Sequence, residues 1–363
     1  MERRQSLTIS IEPPCWCGEP CCCGCWSSRW LKGENILLEH GGRLRHAARR
    51  FSIPVADWLD LSTGINPLGW PVPVIPASCW QRLPEADDRL TEVAKDYYGA
   101  SSLLPVAGSQ QAIQALPRLR SACRVGMLSP AYAEHAHAWR SCGHRVVPLR
   151  ADRIDETLPC LDVLLLIHPN NPTGQCYEPG QLLEWHQQLA ARGGWLLVDE
   201  AFMDCRPEQS LARQSGREGL IVLRSPGKFF GLAGARVGFV LGEQALLQRL
   251  EALLGPWTIS HPSRWVAAAA LSDVGWQQQT GIRLRRCGIR LRELLTACSL
   301  PPAGGCELFQ WVVTADAGKI FEALARQGIL IRQFEEPASL RFGLPGTEDD
   351  WFRLESALRG LQS

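Results

Sequence analysis

Three polar groups suited to covalent and acid–base chemistry lie just beyond short apolar runs. Val163-Leu164-Leu165-Leu166-Ile167 leads into His168-Pro169-Asn170-Asn171-Pro172-Thr173-Gly174. Trp195-Leu196-Leu197-Val198 leads into Asp199-Glu200, and Leu220-Ile221-Val222-Leu223 into Arg224-Ser225-Pro226-Gly227-Lys228. An amide, a carboxylate and an amine thus follow three successive strand candidates. The amine stands out by scarcity: of 38 basic residues, only Lys32, Lys95, Lys228 and Lys319 are lysines. Arginine can supply surface charge, but its guanidinium stays protonated and cannot act as a neutral amine nucleophile.

The elements around these groups predict an α/β fold with a mostly parallel sheet. Apolar runs of strand length alternate with helical patterns from Glu39 onward. Helices are expected after Gly108, over Gln181 to Ala191 with Gly193-Gly194 as a stop, over Glu243 to Leu254 and over Arg264 to Ala297. In open α/β sheets ligands bind in the crevice outside the carboxyl ends of the strands, so the three polar groups should share one cleft. Upstream, Val106-Ala107-Gly108-Ser109-Gln110-Gln111 reads as a strand end, a glycine and a helix start, where unpaired N–H groups favour a phosphate. The last hundred residues read as a smaller α+β domain. Strands are expected near Leu308 to Val313, Ile329 to Gln333 and Ser339 to Phe342, with helices at Ile320 to Gln327 and Glu348 to Leu361.

Charge is balanced, with Lys+Arg 38 against Asp+Glu 37, which argues against a grip on nucleic acid or a membrane surface. No run of about 18 apolar residues suggests a membrane span, and Met1 to Glu12 lack the apolar core of a signal peptide. A cytoplasmic location is the expectation. Six of the 15 cysteines fall between Cys15 and Cys25. Their spacing does not give a paired C-x2-C zinc site, so no metal is expected. Residues 1–36 read as an irregular cysteine-rich tail.

A lysine, a carboxylate and a phosphate cradle match the needs of pyridoxal phosphate. That cofactor requires an amine to hold it covalently, a carboxylate facing its pyridine nitrogen, and donors for its phosphate. Lys228, Asp199, and the set Ser109, Ser225 and Arg236 are the candidates for these three tasks.

Asn171-Pro172-Thr173-Gly174, Asp199-Glu200-Ala201 and the run Ser225-Pro226-Gly227-Lys228-Phe229-Phe230-Gly231-Leu232-Ala233-Gly234-Ala235-Arg236-Val237-Gly238 resemble the aminotransferase class I/II pattern in order and spacing. This is the fold-type I family of pyridoxal phosphate enzymes, and the resemblance covers about Glu39 to Ser363. It implies that Lys228 carries the cofactor and that Asp199 pairs with the pyridine nitrogen. Asn171 would bond the cofactor's phenolic oxygen, and Tyr132 in Ser129-Pro130-Ala131-Tyr132 would stack on the ring. Ser109, Gln110, Ser225 and Arg236 would hold the cofactor phosphate. Arg341 in Leu340-Arg341-Phe342-Gly343 would fork the substrate α-carboxylate. The resemblance further implies a homodimer, an N-terminal arm at 37–75 over the active site, a large cofactor-binding domain at 76–262 and a small domain at 263–363.

Leu38-Glu39-His40-Gly41-Gly42 with Leu61-Ser62-Thr63-Gly64-Ile65-Asn66-Pro67-Leu68-Gly69 resembles the N-terminal signature of the threonine-phosphate decarboxylases, relatives of the histidinol-phosphate aminotransferases. Trp80-Gln81-Arg82-Leu83-Pro84-Glu85 fits the same group. The resemblance places His40, Gly41, Gly42, Gly64, Asn171 and Arg341 at a small phosphorylated amino acid. It implies decarboxylation of L-threonine O-3-phosphate, with an aminotransferase of histidinol-phosphate type as the alternative and a non-catalytic sensor behind it. Two positions depart from the aminotransferase pattern: Phe202 and Leu83 stand where tyrosines are usual. Since the resemblance begins only near Leu38, the cysteine-rich tail is expected to be dispensable, or to stem from an upstream start codon.

Overall fold

The computed structural model describes residues 41–361, which belong to the compact unit that begins at Glu39. In chain order the strands are β1 (Leu59–Asp60), β2 (Leu103–Val106), β3 (Arg124–Leu128), β4 (Arg145–Leu149), β5 (Val163–Ile167), β6 (Trp195–Asp199) and β7 (Leu220–Arg224). There follow β8 (Gly238–Leu241), β9 (Gly304–Cys306), β10 (Phe309–Val313), β11 (Ile329–Leu330), β12 (Arg332–Phe334) and β13 (Ser339–Gly343).

Seven strands form the larger sheet in the order β2-β8-β7-β6-β5-β3-β4. Only β8 runs against the others. Every residue of β5, β6 and β7 is buried, which is why these strands read as unbroken apolar runs rather than alternating ones. Successive side chains serve opposite faces. Leu164, Leu166, Leu196, Val198 and Val222 enter one core, while Val163, Leu165, Leu197, Ile221 and Leu223 enter the other. The strand order reverses between β3 and β5, and such a switch point opens a crevice at the carboxyl ends of the strands.

The smaller sheet is antiparallel, in the order β12-β13-β10-β9. Two expectations need correction here. The segment Ile329 to Gln333 is not one strand: β11 pairs in parallel with β1 from the N-terminal arm, while β12 turns to pair with β13. The helix expected over Arg264 to Ala297 is two helices, His261–Ser272 and Val274–Ala297. Asp273 separates them in a non-helical conformation, and its side chain accepts the Trp276 amide at 3.0 Å as an N-cap.

A buried ion network ties the carboxyl ends of β6 and β7 together. Arg224, 2% exposed, donates to Glu200 Oε2 at 2.6 Å and to Asp204 Oδ1 at 2.8 Å. Tyr97 donates its hydroxyl to the same Asp204 oxygen, and the Arg224 guanidinium lies 4.6 Å over the Tyr98 ring. Burial pushes the Asp204 carboxyl above its ordinary range, against the Arg224 charge. Arg224→Met would leave two carboxylates buried without their cation. It is expected to cost about 3–5 kcal/mol, read as an earlier transition in thermal or denaturant unfolding. An unchanged midpoint would contradict this account.

Candidate active site

Asp199 closes β6 and is 4% exposed. Its Oδ2 accepts a 2.8 Å hydrogen bond from His135 Nε2, and its Oδ1 accepts the Ala201 amide at 3.1 Å. One carboxylate is therefore oriented from both sides. Lys228 sits in the one-turn helix Pro226–Phe229, which starts directly after β7 with Ser225 as its N-cap. Its amine lies 5.6 Å from the centre of the Phe202 ring. Burial, first, and the charges of Arg341 and Arg236, against the opposing charge of Asp199, together lower the Lys228 pKa to about 8. The two arginines and the aspartate are thus all within electrostatic reach of this amine.

A depressed amine has a direct consequence for capture of an aldehyde, because only the neutral form attacks. The neutral fraction grows above the native pKa. The rate at which cofactor-free protein takes up pyridoxal phosphate should therefore rise through a midpoint near 8 and then level off. A stopped-flow absorbance series against pH tests this. A rate still climbing at the ordinary lysine pKa of about 10.4 would sink it.

The helix Ser109–Ala115 starts after Gly108, whose φ of 72° suits glycine. A Cβ there would lie 2.7 Å from Arg236 Nη2, and a Cβ on Gly238 would lie 2.6 Å from the Ser109 amide nitrogen. The guanidinium of Arg236 is thus laid against the start of this helix through gaps that only missing side chains allow. Ser225 is 8% exposed and precedes Lys228 by three residues.

Tyr132 precedes the helix Ala133–Ser141. Its hydroxyl donates to Gln110 Oε1 at 3.4 Å, while Gln110 Nε2 donates to Glu134 at 2.6 Å. Burial pushes the Tyr132 phenol up to about 12, helped by Glu134 and Asp199. Arg341, 6% exposed on β13, donates to Asn171 Oδ1 and to the Ser62 carbonyl, the latter at 2.8 Å. The bond to Asn171 directs that side chain's own donors elsewhere.

The N-terminal arm reaches this point. Gly42 donates its amide to Ser62 Oγ at 2.8 Å, and a Cβ on Gly41 would meet the Ser62 carbonyl at 2.3 Å. A Cβ on Gly64 would lie 2.8 Å from the Phe202 ring. Thus Lys228, Asp199, Tyr132, Asn171, Arg236 and Arg341 form one neighbourhood, with Ser109, Gln110 and Ser225 beside it and Gly41, Gly42 and Gly64 along the arm. His40 lies outside the described residues. Leu83 is 63% exposed and Trp80 69% exposed, so that stretch presents an apolar surface.

Sequence reasoning missed four contributors. His135, Ser62 and Asn66 act through contacts across 64 to 279 residues of chain. Arg332 faces Arg341 across the β12–β13 ladder and lowers its pKa, after burial. None follows a motif visible in one sequence; only Ser62 and Asn66 lie inside a stretch already singled out.

The donor set fits pyridoxal phosphate: a partly buried amine of depressed pKa, a carboxylate held from both sides, and an arginine cradled against glycine. Among the described residues no group of three His, Cys, Asp or Glu side chains could hold a metal ion.

Comparisons with known proteins agree. Residues 80–357 match the family model described as aminotransferase class I and II. Threonine-phosphate decarboxylase from Pseudomonas aeruginosa is 59% identical over 326 residues, 90% of this chain and 98% of that protein. The protein of the same name from Sinorhizobium sp is 39% identical over 335 residues, with the same shares covered. The crystal structure of histidinol-phosphate aminotransferase from Sinorhizobium meliloti in complex with pyridoxal 5'-phosphate superimposes with a TM-score of 0.76. At 18% identity, covering 90% of this chain and 95% of that one, it attests the fold. The chain belongs to the aminotransferase class I and II family.

Proposed function

We propose that the chain is a pyridoxal phosphate-dependent decarboxylase that converts L-threonine O-3-phosphate into (R)-1-amino-2-propanol O-2-phosphate and CO2, a step of cobalamin biosynthesis. The name shared by its relatives supplies the reaction. The observation that carries it is the Lys228 amine set among Asp199, Arg236 and Arg341.

Lys228 Nζ would be the covalent anchor. Asp199, oriented by His135, would face the ring nitrogen, Tyr132 would cover the ring, and the Asn171 amide donors would meet the phenolic oxygen. Ser109, Gln110, Ser225 and Arg236 would hold the cofactor phosphate. When bound, the cofactor supplies the electron sink that accepts the pair left as a bond to the substrate α-carbon breaks. The protein decides which bond that is. Arg341 would grip the α-carboxylate, while Arg332, Gly41, Gly42 and Gly64 would receive the substrate's own phosphate end. Together they would set the angle of the carboxylate and so decide which bond to the α-carbon can break. CO2 would be released, and the Lys228 amine, freed once the substrate amine takes its place, would donate one proton to the α-carbon. An amine with a pKa near 8 is well matched to that transfer near neutral pH. The Phe202 ring and Gly64 close the floor without a hydroxyl.

Homodimer assembly belongs to the same proposal, supported by the exposed Val72, Val74, Trp80 and Leu83 of one segment. A cytoplasmic location is supported by the nine described cysteines, all free thiols. No helix among the described residues is long and apolar enough to cross a membrane.

The test is incubation of cofactor-loaded protein with L-threonine O-3-phosphate and no keto acid, measuring CO2 and the phosphorylated amino alcohol. Catalytic release of both supports the reading. Turnover that requires a keto-acid acceptor and releases no CO2 would replace it with aminotransfer.

A further inference from the structure

The helix that carries Lys228 is a single turn, too short to hold its own shape. Its carbonyl groups face the orphan-acceptor problem of every helix end. Three consecutive carbonyls are met by one stretch of the N-terminal arm. Asn66 donates its amide to the Lys228 carbonyl at 2.9 Å and its Nδ2 to the Phe229 carbonyl at 2.8 Å, and the Trp70 amide donates to the Phe230 carbonyl at 2.8 Å. Asn66 is 3% exposed, and its Oδ1 accepts from the Leu68 amide at 3.1 Å and Arg283 at 3.3 Å. The backbones touch here: a Cβ on Gly231 would lie 2.6 Å from the Gly69 α-carbon and 2.9 Å from the Asn66 carbonyl oxygen. Four residues earlier the same stretch gives the Ser62 carbonyl to Arg341.

We propose that Asn66 is a positioning residue for Lys228: its backbone and side chain fix the lysine-bearing turn from a segment that also seats Arg341. This rests on the reading that Lys228 holds the cofactor. Asn66 does not reach the reacting atoms; it sets where the backbone of Lys228 stands, and so where its amine points. Displacement of a reacting group by about 1 Å can cost about a hundredfold in rate.

The holoenzymes of Asn66→Ala, Asn66→Asp and Gly69→Ala test it against wild type, with activity expressed per bound cofactor. Asn66→Asp keeps the shape but replaces the donor to the Phe229 carbonyl by an acceptor. Gly69→Ala places a Cβ 3.0 Å from the Phe230 carbonyl oxygen and pushes the same contact apart from another residue. The expected result is a kcat lowered about tenfold or more with KM changed much less. A readout independent of turnover should move with it: faster loss of cofactor to a trapping agent, and a shifted pH midpoint for its recapture. If Asn66→Ala does not fold, the other two variants carry the same expectation. Wild-type kcat, KM and cofactor release in the folded variants would overturn the proposal, even if their unfolding midpoints fell. Lys228→Ala is run beside them. Covalent capture surviving in that variant would overturn the parent reading instead.

Discussion

Lys228→Ala is expected to lower CO2 release from L-threonine O-3-phosphate by at least about a thousandfold, because it removes the amine proposed as the covalent anchor. No other described lysine can stand in. Lys319 is exposed and paired with Asp316, and Lys95 lies in the helix Leu90–Tyr98. Lys228→Arg should fail as completely, since a guanidinium keeps the charge and loses the neutral amine. The protein absorbance should lose the band of covalently held cofactor in both. Stability should move the other way. The native amine has a pKa near 8, below its unfolded value, so between about 8 and 10.4 the unfolded chain binds more protons and stability rises with pH. Below that window the charged amine is a full burden on the fold. At neutral pH the cofactor-free Lys228→Met protein should therefore unfold later than wild type, by no more than about 3 kcal/mol. Undiminished CO2 release by either the alanine or the arginine variant would remove Lys228 from the mechanism.

Arg341→Lys is the second large effect expected, a loss of about a hundredfold to a thousandfold in kcat/KM. The guanidinium already spends one arm on Asn171 Oδ1 and another on the Ser62 carbonyl. Those two bonds fix its plane and leave the fork set for a carboxylate. Lysine brings one point charge on a flexible stem, so it cannot keep both bonds and grip two oxygens. Asn171 would then lose its partner, which on the proposed reading disturbs cofactor and substrate together. Both KM and kcat should suffer in steady-state assays. A variant with only KM raised would mean that Arg341 binds without orienting, and that the carboxylate's angle is set elsewhere.

These residues were within reach of sequence reasoning because a single stretch of chain carries each signal. Runs such as Val163–Ile167 and Trp195–Asp199 are buried on both faces, so hydrophobicity alone marks them. The polar residues beyond them follow from the geometry of an open sheet. Strands β2, β3, β4 and β8 carry weaker signals, since proline, glycine or arginine interrupts their apolar character. The break at Asp273 was hidden inside an otherwise helical pattern, because one capping side chain decides it. The split of β11 from β12 depends on β1, roughly 270 residues away in the chain. His135, Asn66 and Arg332 have the same character. Each is an ordinary residue locally, and only packing gives it a partner.

One contact constrains how such a protein can change over time. A Cβ on Gly174 would lie 2.1 Å from the Gly305 carbonyl oxygen, and a Cβ on Gly304 would lie 2.0 Å from that of Thr173. The turn that presents Asn171 is therefore seated directly on the backbone of β9, with no side chain as a spacer. Neither glycine can drift to alanine and be rescued by a smaller neighbour, because the neighbour is main chain. New substrate ranges should thus arise by substitution around this seam, and libraries that randomise it should return glycine at both positions.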